Sequence, residues 1–269
     1  MLTHRVLSAA VLIPIVVLAV HFGGWWFFAL VTLAALLAAH EFFTIVRLRE
    51  YRPSRVLGLL LTVSLVASGL RPDLPIDTFA LAAVSMITLV YELLQGNRAG
   101  SLENWALTVA GPLYIGGLSR HFVMLRELPQ GIYWIGLAFL TTWLCDGAAF
   151  FVGNWLGKHH FFERISPHKT MEGAKAGLVA GTITGALVGL LLRIPVYVGV
   201  PLGLLISLAA TFGDLSESLI KRQVGVKDSS NLIPGHGGAL DRIDSLLFAV
   251  AVVYYFALWA PAALGGIGA

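Results

Sequence analysis

Between Ser218 and Asp244 the chain gathers residue types that handle phosphates and metal ions: Ser218, Lys221, Arg222, Lys227, His236, Gly237, Gly238, Asp241, Arg242 and Asp244, with Asp214 just ahead. Asp214, Ser218 and Lys221 are spaced i, i+4, i+7, which lays them on one face of a helix, and Asp241 and Asp244 share a face of the next one. If the intervening loop folds these helices side by side, Asp214, Asp241 and Asp244 converge. Two carboxylates 4 Å apart repel by about 4 kcal/mol at an effective dielectric near 20, so such a cluster calls for a cation. Mg²⁺ suits it, because Mg²⁺ takes one or two carboxylates and completes its octahedron with water and substrate phosphate. The expected metal ligands are therefore Asp214, Asp241 and Asp244, holding one or two cations. Lys221, Arg222 and Lys227 can contact phosphate oxygens. The run Pro234-Gly235-His236-Gly237-Gly238 lets backbone approach a ligand closely and can form an anion nest. Carboxylate-bound metal, basic clamps and a glycine loop are the parts needed for phosphoryl or nucleotidyl transfer.

Each residue also has a plainer reading. Lys221, Arg222 and Lys227 could anchor a loop on the inner side of a membrane, and Asp241 could cap a helix. Asp214, flanked by apolar residues, is the hardest to explain structurally. The joint occurrence favours chemistry. His40-Glu41 lacks the second histidine of a zinc-protease helix and reads as a polar helix end near the lipid head groups.

The elements that must position these residues are hydrophobic helices. Apolar residues make up 57% of the 269 positions and charged residues 12%, against about 45–50% and about 25% in soluble domains. Mean hydropathy is +0.82. Segments 6–40, 177–192, 194–213 and 245–269 contain no Asp, Glu, Lys or Arg, and a span needs roughly 20 predominantly apolar residues. The fold expected is an all-α polytopic integral membrane protein, a bundle of about nine transmembrane helices over 6–22, 25–46, 54–71, 76–94, 102–119, 131–151, 174–192, 195–219 and 243–264. Residues 1–130 form the N-terminal helices, and 131–269 carry the catalytic loops. The apolar run continues past Gly23-Gly24, which argues against a cleaved signal peptide. Gly111-Pro112 predicts a kink in the fifth helix.

Lys158, Lys169, Lys175, Lys221 and Lys227 are the only lysines and fall in one segment of the second half. With Arg47, Arg49, Arg52 and Arg55 they place the N-terminus and the polar loops in the cytosol, while Arg120 and Arg126 fall in a loop on the other side. The localisation expected is the cytoplasmic membrane, with the active site facing the cytosol. No nucleic-acid module accompanies the pI near 9.1, so nucleic acid is not an expected partner. Cys145, the single cysteine, forms no intrachain disulfide. Homodimerisation is compatible with such a bundle.

The polar block resembles the signature of the phosphatidate cytidylyltransferases (CDP-diacylglycerol synthases). Ser218, Lys221-Arg222, Lys227-Asp228, Pro234, His236-Gly237-Gly238, Asp241-Arg242 and Asp244 fill that pattern without a gap. A second set is similar as well: Asp146, then Gly153-Asn154-Trp155-Leu156-Gly157-Lys158, then Ser166-Pro167-His168-Lys169-Thr170-Met171-Glu172-Gly173. Many relatives carry Arg at the position of Asn154. Asp146-Gly147-Ala148-Ala149 also begins like a CDP-alcohol phosphotransferase motif, but Phe150-Phe151 breaks it.

The resemblance implies condensation of CTP with phosphatidic acid, drawn from the membrane lipid, to CDP-diacylglycerol and pyrophosphate. It implies catalytic roles for Asp214, Ser218, Lys221, Asp241 and Asp244. Substrate binding falls to Lys158, Lys169, Thr170, Arg222, Lys227, His236, Gly237, Gly238 and Arg242. A CTP-dependent lipid kinase would share these parts. An ion transporter would instead need midplane carboxylates and inverted repeats.

Overall fold

The computed structural model describes residues 2–96, 99–232 and 237–263. They form α1 (Leu2–Phe22), α2 (Gly24–Val46), α3 (Arg55–Ser68), α4 (Ile76–Leu94), α5 (Ser101–Glu127), α6 (Gly131–Leu156), α7 (Met171–Leu191), α8 (Val196–Val224) and α9 (Leu240–Ala263), with a 3-10 turn at Arg47–Arg49. The described residues contain no β-strand. Among the described residues, six segments are long and apolar enough to cross a membrane: Gly24–Arg49, Ile76–Leu94, Gly131–Leu156, Met171–Leu191, Val196–Val224 and Leu240–Trp259. The protein is an all-α, multi-pass membrane protein with the nine helices expected among its described residues, six of which meet that criterion for a span. The 14 residues of α3 reach only about 21 Å, short of a hydrocarbon core about 30 Å thick. The outward-facing Trp25, Phe79, Leu94, Phe151 and Leu191 suit a lipid surround.

The chain divides into two compact units: Met1–Met124 with Gln223–Arg242, and Leu125–Arg222 with Ile243–Ala269. The polar segment after α8 thus belongs with the N-terminal helices. In this first unit α2 packs on α1 and α3, and α3 on α4. Ser54 caps α3 by accepting from the Leu57 amide at 3.5 Å. Gly111 sits against the ring of Phe42, and Gly116 against the Thr62 backbone, where a Cβ would come within 2.9 Å of the Thr62 carbonyl oxygen. Gly111, expected at a kink, and Gly116 are therefore points where α5 meets α2 and α3. α5 also outlasts its expected end near residue 119. Arg120 lies within it and pairs with Asp77 of α4. Arg120 and Arg126 are helical residues, which corrects the loop position expected for them.

In the second unit α7 is threaded by Gly173, Gly177, Gly181, Gly185 and Gly189, all buried at four-residue spacing. A Cβ at Gly177 would stand 2.8 Å from the Cys145 carbonyl oxygen of α6, and one at Gly203 of α8 would stand 2.8 Å from the Thr182 carbonyl oxygen. This stripe of small residues lets backbones approach closely where lipid supplies no hydrophobic drive.

Candidate active site

The second unit builds its polar cluster from the end of α6. Gly153 and Gly157 close around Thr170, whose hydroxyl caps α7 by accepting from the Gly173 amide at 3.2 Å. A Cβ at Gly157 would fall 2.6 Å from Thr170 Cγ2, so only glycine fits there. The loop between α6 and α7 is fixed by backbone bonds from Phe161 N to Lys169 O (3.2 Å) and from Met171 N to His159 O (2.7 Å). Glu172 accepts from the amides of Lys158 (3.1 Å) and His159 (3.2 Å) and pairs with His159 Nδ1 at 2.5 Å. This frame delivers Lys169 to Asp214, with Nζ 2.8 Å from Oδ2.

Asp214 also accepts from Ser218 Oγ at 3.3 Å, one helical turn on, as their spacing requires. α8 runs past its expected end at residue 219 to Val224, so Lys221 and Arg222 lie in its last turn rather than in a loop. Lys221 Nζ meets Glu217 at 2.5 Å, and Glu217 has no exposed surface. Arg222 Nε donates to the Ile165 carbonyl at 2.9 Å, tying the helix end to the same loop. Gly213 permits α8 and α9 to touch, since a Cβ there would stand 2.6 Å from the Asp244 carbonyl oxygen. Asp244 consequently feels the charges of Asp214 and Asp146 and, with opposite sign, of Lys221. Within this unit the structure joins Lys169 and Ser218 to Asp214, pairs Lys221 with Glu217, and packs Asp244 against Gly213, next to Asp214. Among the described residues, no three His, Cys, Asp or Glu side chains are grouped tightly enough to hold a metal ion.

The first unit organises the rest of the signature. Gly237 has φ +81°, a left-handed conformation open to glycine at little cost. The Gly238 amide donates to Asp241 Oδ2 at 2.8 Å. Ser229 reaches the same oxygen through its amide at 3.1 Å and its hydroxyl at 2.9 Å. Asp241 therefore holds the loop ahead of α9. Lys227, Asp228 and Arg242 are exposed, and His236 lies outside the described residues.

Glu41 is the residue that sequence reasoning misread. It is no helix end beside head groups: it lies within α2 and is 4% exposed. Its Oε1 accepts from Ser230 Oγ (2.6 Å) and Ala239 N (2.9 Å). Its Oε2 accepts from Ser229 Oγ and Leu240 N, each at 2.9 Å. The signal was available, because Glu41 ends a long run without an acid or base, and an ionisable residue in such a run is a functional candidate by default. Glu217 was missed too. Its place four residues before Lys221 marks a helical ion pair.

The sequence matches the model of the Cytidylyltransferase family over residues 3–259. This chain belongs to that family. It is 32% identical to a phosphatidate cytidylyltransferase of Synechocystis sp., over 94% of this chain and 96% of the relative. Enzymes of the same name from Bacillus subtilis and Staphylococcus aureus are 37% and 36% identical, each over 65% of this chain and 66% of the relative. Family membership fits the multi-pass architecture and the concentration of polar side chains around α8 and α9.

Proposed function

We propose that this protein is a phosphatidate cytidylyltransferase, condensing CTP with phosphatidic acid to CDP-diacylglycerol and pyrophosphate. The observation that carries this reading is the signature filled from Ser218 to Asp244, together with near full-length similarity to a relative of that name. A phosphate oxygen of phosphatidate attacks the α-phosphorus of CTP. The new P–O bond forms as the bond to the β-phosphate breaks, and pyrophosphate leaves. The nucleophile is already an anion, since a phosphomonoester has a second pKa of about 6, so no strong base is required. The protein's task is to align two anions that repel each other.

Lys221, Arg222 and Lys227 bind phosphates in this reading, and Ser218 orients one. Lys158, Lys169 and Thr170 serve CTP or the phosphatidate head group. His236, Gly237, Gly238 and Arg242 complete the substrate contacts. The carboxylates of Asp214 and Asp244 are hard oxygen donors of the kind Mg²⁺ takes one or two of, and Asp214 already attracts a cation in Lys169. Asp214 and Asp244 would hold the ion, with Asp241 assigned to it by its i, i+3 spacing from Asp244 on α9. When bound, Mg²⁺ neutralises charge on the triphosphate. The site would face the cytosol, where CTP is, across the cytoplasmic membrane. A second cation and a homodimer belong to the same proposal.

Protein purified in detergent, with Mg²⁺, phosphatidic acid and α-labelled CTP, should place label in the lipid phase. Label entering lipid only from γ-labelled CTP would make the protein a lipid kinase instead.

A further inference from the structure

We propose that Glu41 is a positioning residue for cytidylyl transfer, an inference that rests on the function proposed above. Glu41 and the segment 223–242 belong to one compact unit, though nearly two hundred positions separate them in sequence. Four donors converge on its two oxygens: the hydroxyls of Ser229 and Ser230, and the amides of Ala239 and Leu240. The two amides open α9, where backbone N–H groups have no partner within the helix. A carboxylate there satisfies them and favours the positive end of the helix dipole.

The clamp extends to Asp241. Ser229 Oγ stands 2.9 Å from both Glu41 Oε2 and Asp241 Oδ2. It has one hydrogen to give, so it serves the two carboxylates in turn. Gly238 lies against this junction: a Cβ would press on Ser229 Oγ and on the Glu41 carboxylate. Glu41 thus holds both ends of the glycine loop and, through Ser229, sets where Asp241 points. None of its four donors is a cation, and each bond ends on the loop or on the first turn of α9. This arrangement fixes backbone rather than balancing charge.

Glu41→Gln tests the role. Glutamine offers one oxygen and one NH₂ group, and the NH₂ faces donors that it cannot satisfy. Glu41→Asp keeps the charge but withdraws it by one methylene, and Ser230→Ala removes one of the four donors. Per folded molecule, with folding read by size-exclusion chromatography in detergent, E41Q should lower kcat/KM for CTP by about 100-fold, the loss that a small misplacement of reacting groups produces. E41D should recover part of this, and S230A should lose least. Hydrogen exchange supplies a readout apart from activity: the amides of Ala239 and Leu240 should exchange faster in E41Q.

Unchanged kcat/KM in folded E41Q overturns the proposal, as does unchanged exchange across 229–241. If the variants lose only folded protein while the surviving molecules keep wild-type kcat and KM, Glu41 is structural and the positioning role falls. Should wild-type protein transfer no α-label to lipid, the assigned reaction falls, and Glu41's part in it too. The exchange measurement then separates that failure from a failure of the clamp.

Discussion

Glu41 and Glu217 are both buried carboxylates, at 4% and 0% exposure, and their surroundings differ in kind. Glu41, in the first unit, is met by two hydroxyls and two amides, all neutral. Glu217, in the second, is met by the ammonium group of Lys221 at 2.5 Å. The neighbouring Asp214 is likewise met by Lys169. Neutral dipoles fixed in a backbone hold one geometry. A lysine on a flexible stem can change partners when an anion arrives. One region keeps a loop in shape, and the other carries lysines that, in the proposed reaction, would leave their carboxylates for a substrate phosphate.

The sharpest attempt to break this contrast is Asp244→Asn. It takes a carboxylate oxygen from the second region while nearly preserving shape, so the protein should elute normally in detergent yet lose about 1,000-fold in turnover, the upper range for one electrostatic contact. Near-wild-type cytidylyl transfer would sink the role of Asp244. Next comes Glu217→Gln, which removes the carboxylate charge from the buried Glu217–Lys221 pair. Breaking such a pair from one side costs about 3–5 kcal/mol, whereas replacing both partners is often neutral. E217Q should therefore melt earlier, and E217Q combined with Lys221→Met should recover stability but not activity. Recovery of both would show that Lys221 serves packing alone.

The same contrast explains what the sequence made legible. Charge at helix spacing identified Asp214, Ser218 and Lys221 as one face, and Ser218 does reach Asp214. Hydrophobic runs located most helices within a few residues, but not how far α5 continues past residue 119 or α8 past residue 219. The reason is local: Arg120 finds Asp77 and Lys221 finds Glu217, so charge did not end either helix. The five buried glycines of α7 were visible as letters, yet their use depends on which backbones they meet. Glu41 was hidden more deeply, because its four donors lie nearly two hundred positions away, and pairing at that distance leaves no spacing rule to read.

A gentler probe of the neutral region is Gly238→Ala. Its methyl would press on Ser229 Oγ and the Glu41 carboxylate, a backbone-tight overpacking of the kind that costs about 1–3 kcal/mol. Stability should fall by that amount, with a loss of turnover smaller than that of D244N. A loss of turnover equal to that of D244N would blur the two regions, since shape would then matter as much as charge.

Thr170 should show the smallest effect, and it separates a structural use from a chemical one within a single side chain. Its hydroxyl accepts from the Gly173 amide, while its methyl packs on Gly157. Accepting that bond leaves the hydroxyl hydrogen available to a phosphate. Thr170→Ser keeps the hydroxyl and loses the methyl, so it should retain both the cap and the activity. Thr170→Val keeps the shape and loses the cap, at about 1 kcal/mol of stability. Its KM for CTP or phosphatidic acid should also rise, because the proposed phosphate contact goes with the hydroxyl. If Thr170→Val is destabilised yet keeps both KM values, Thr170 serves only as the cap of α7, and substrate binding on this loop passes to Lys158 and Lys169.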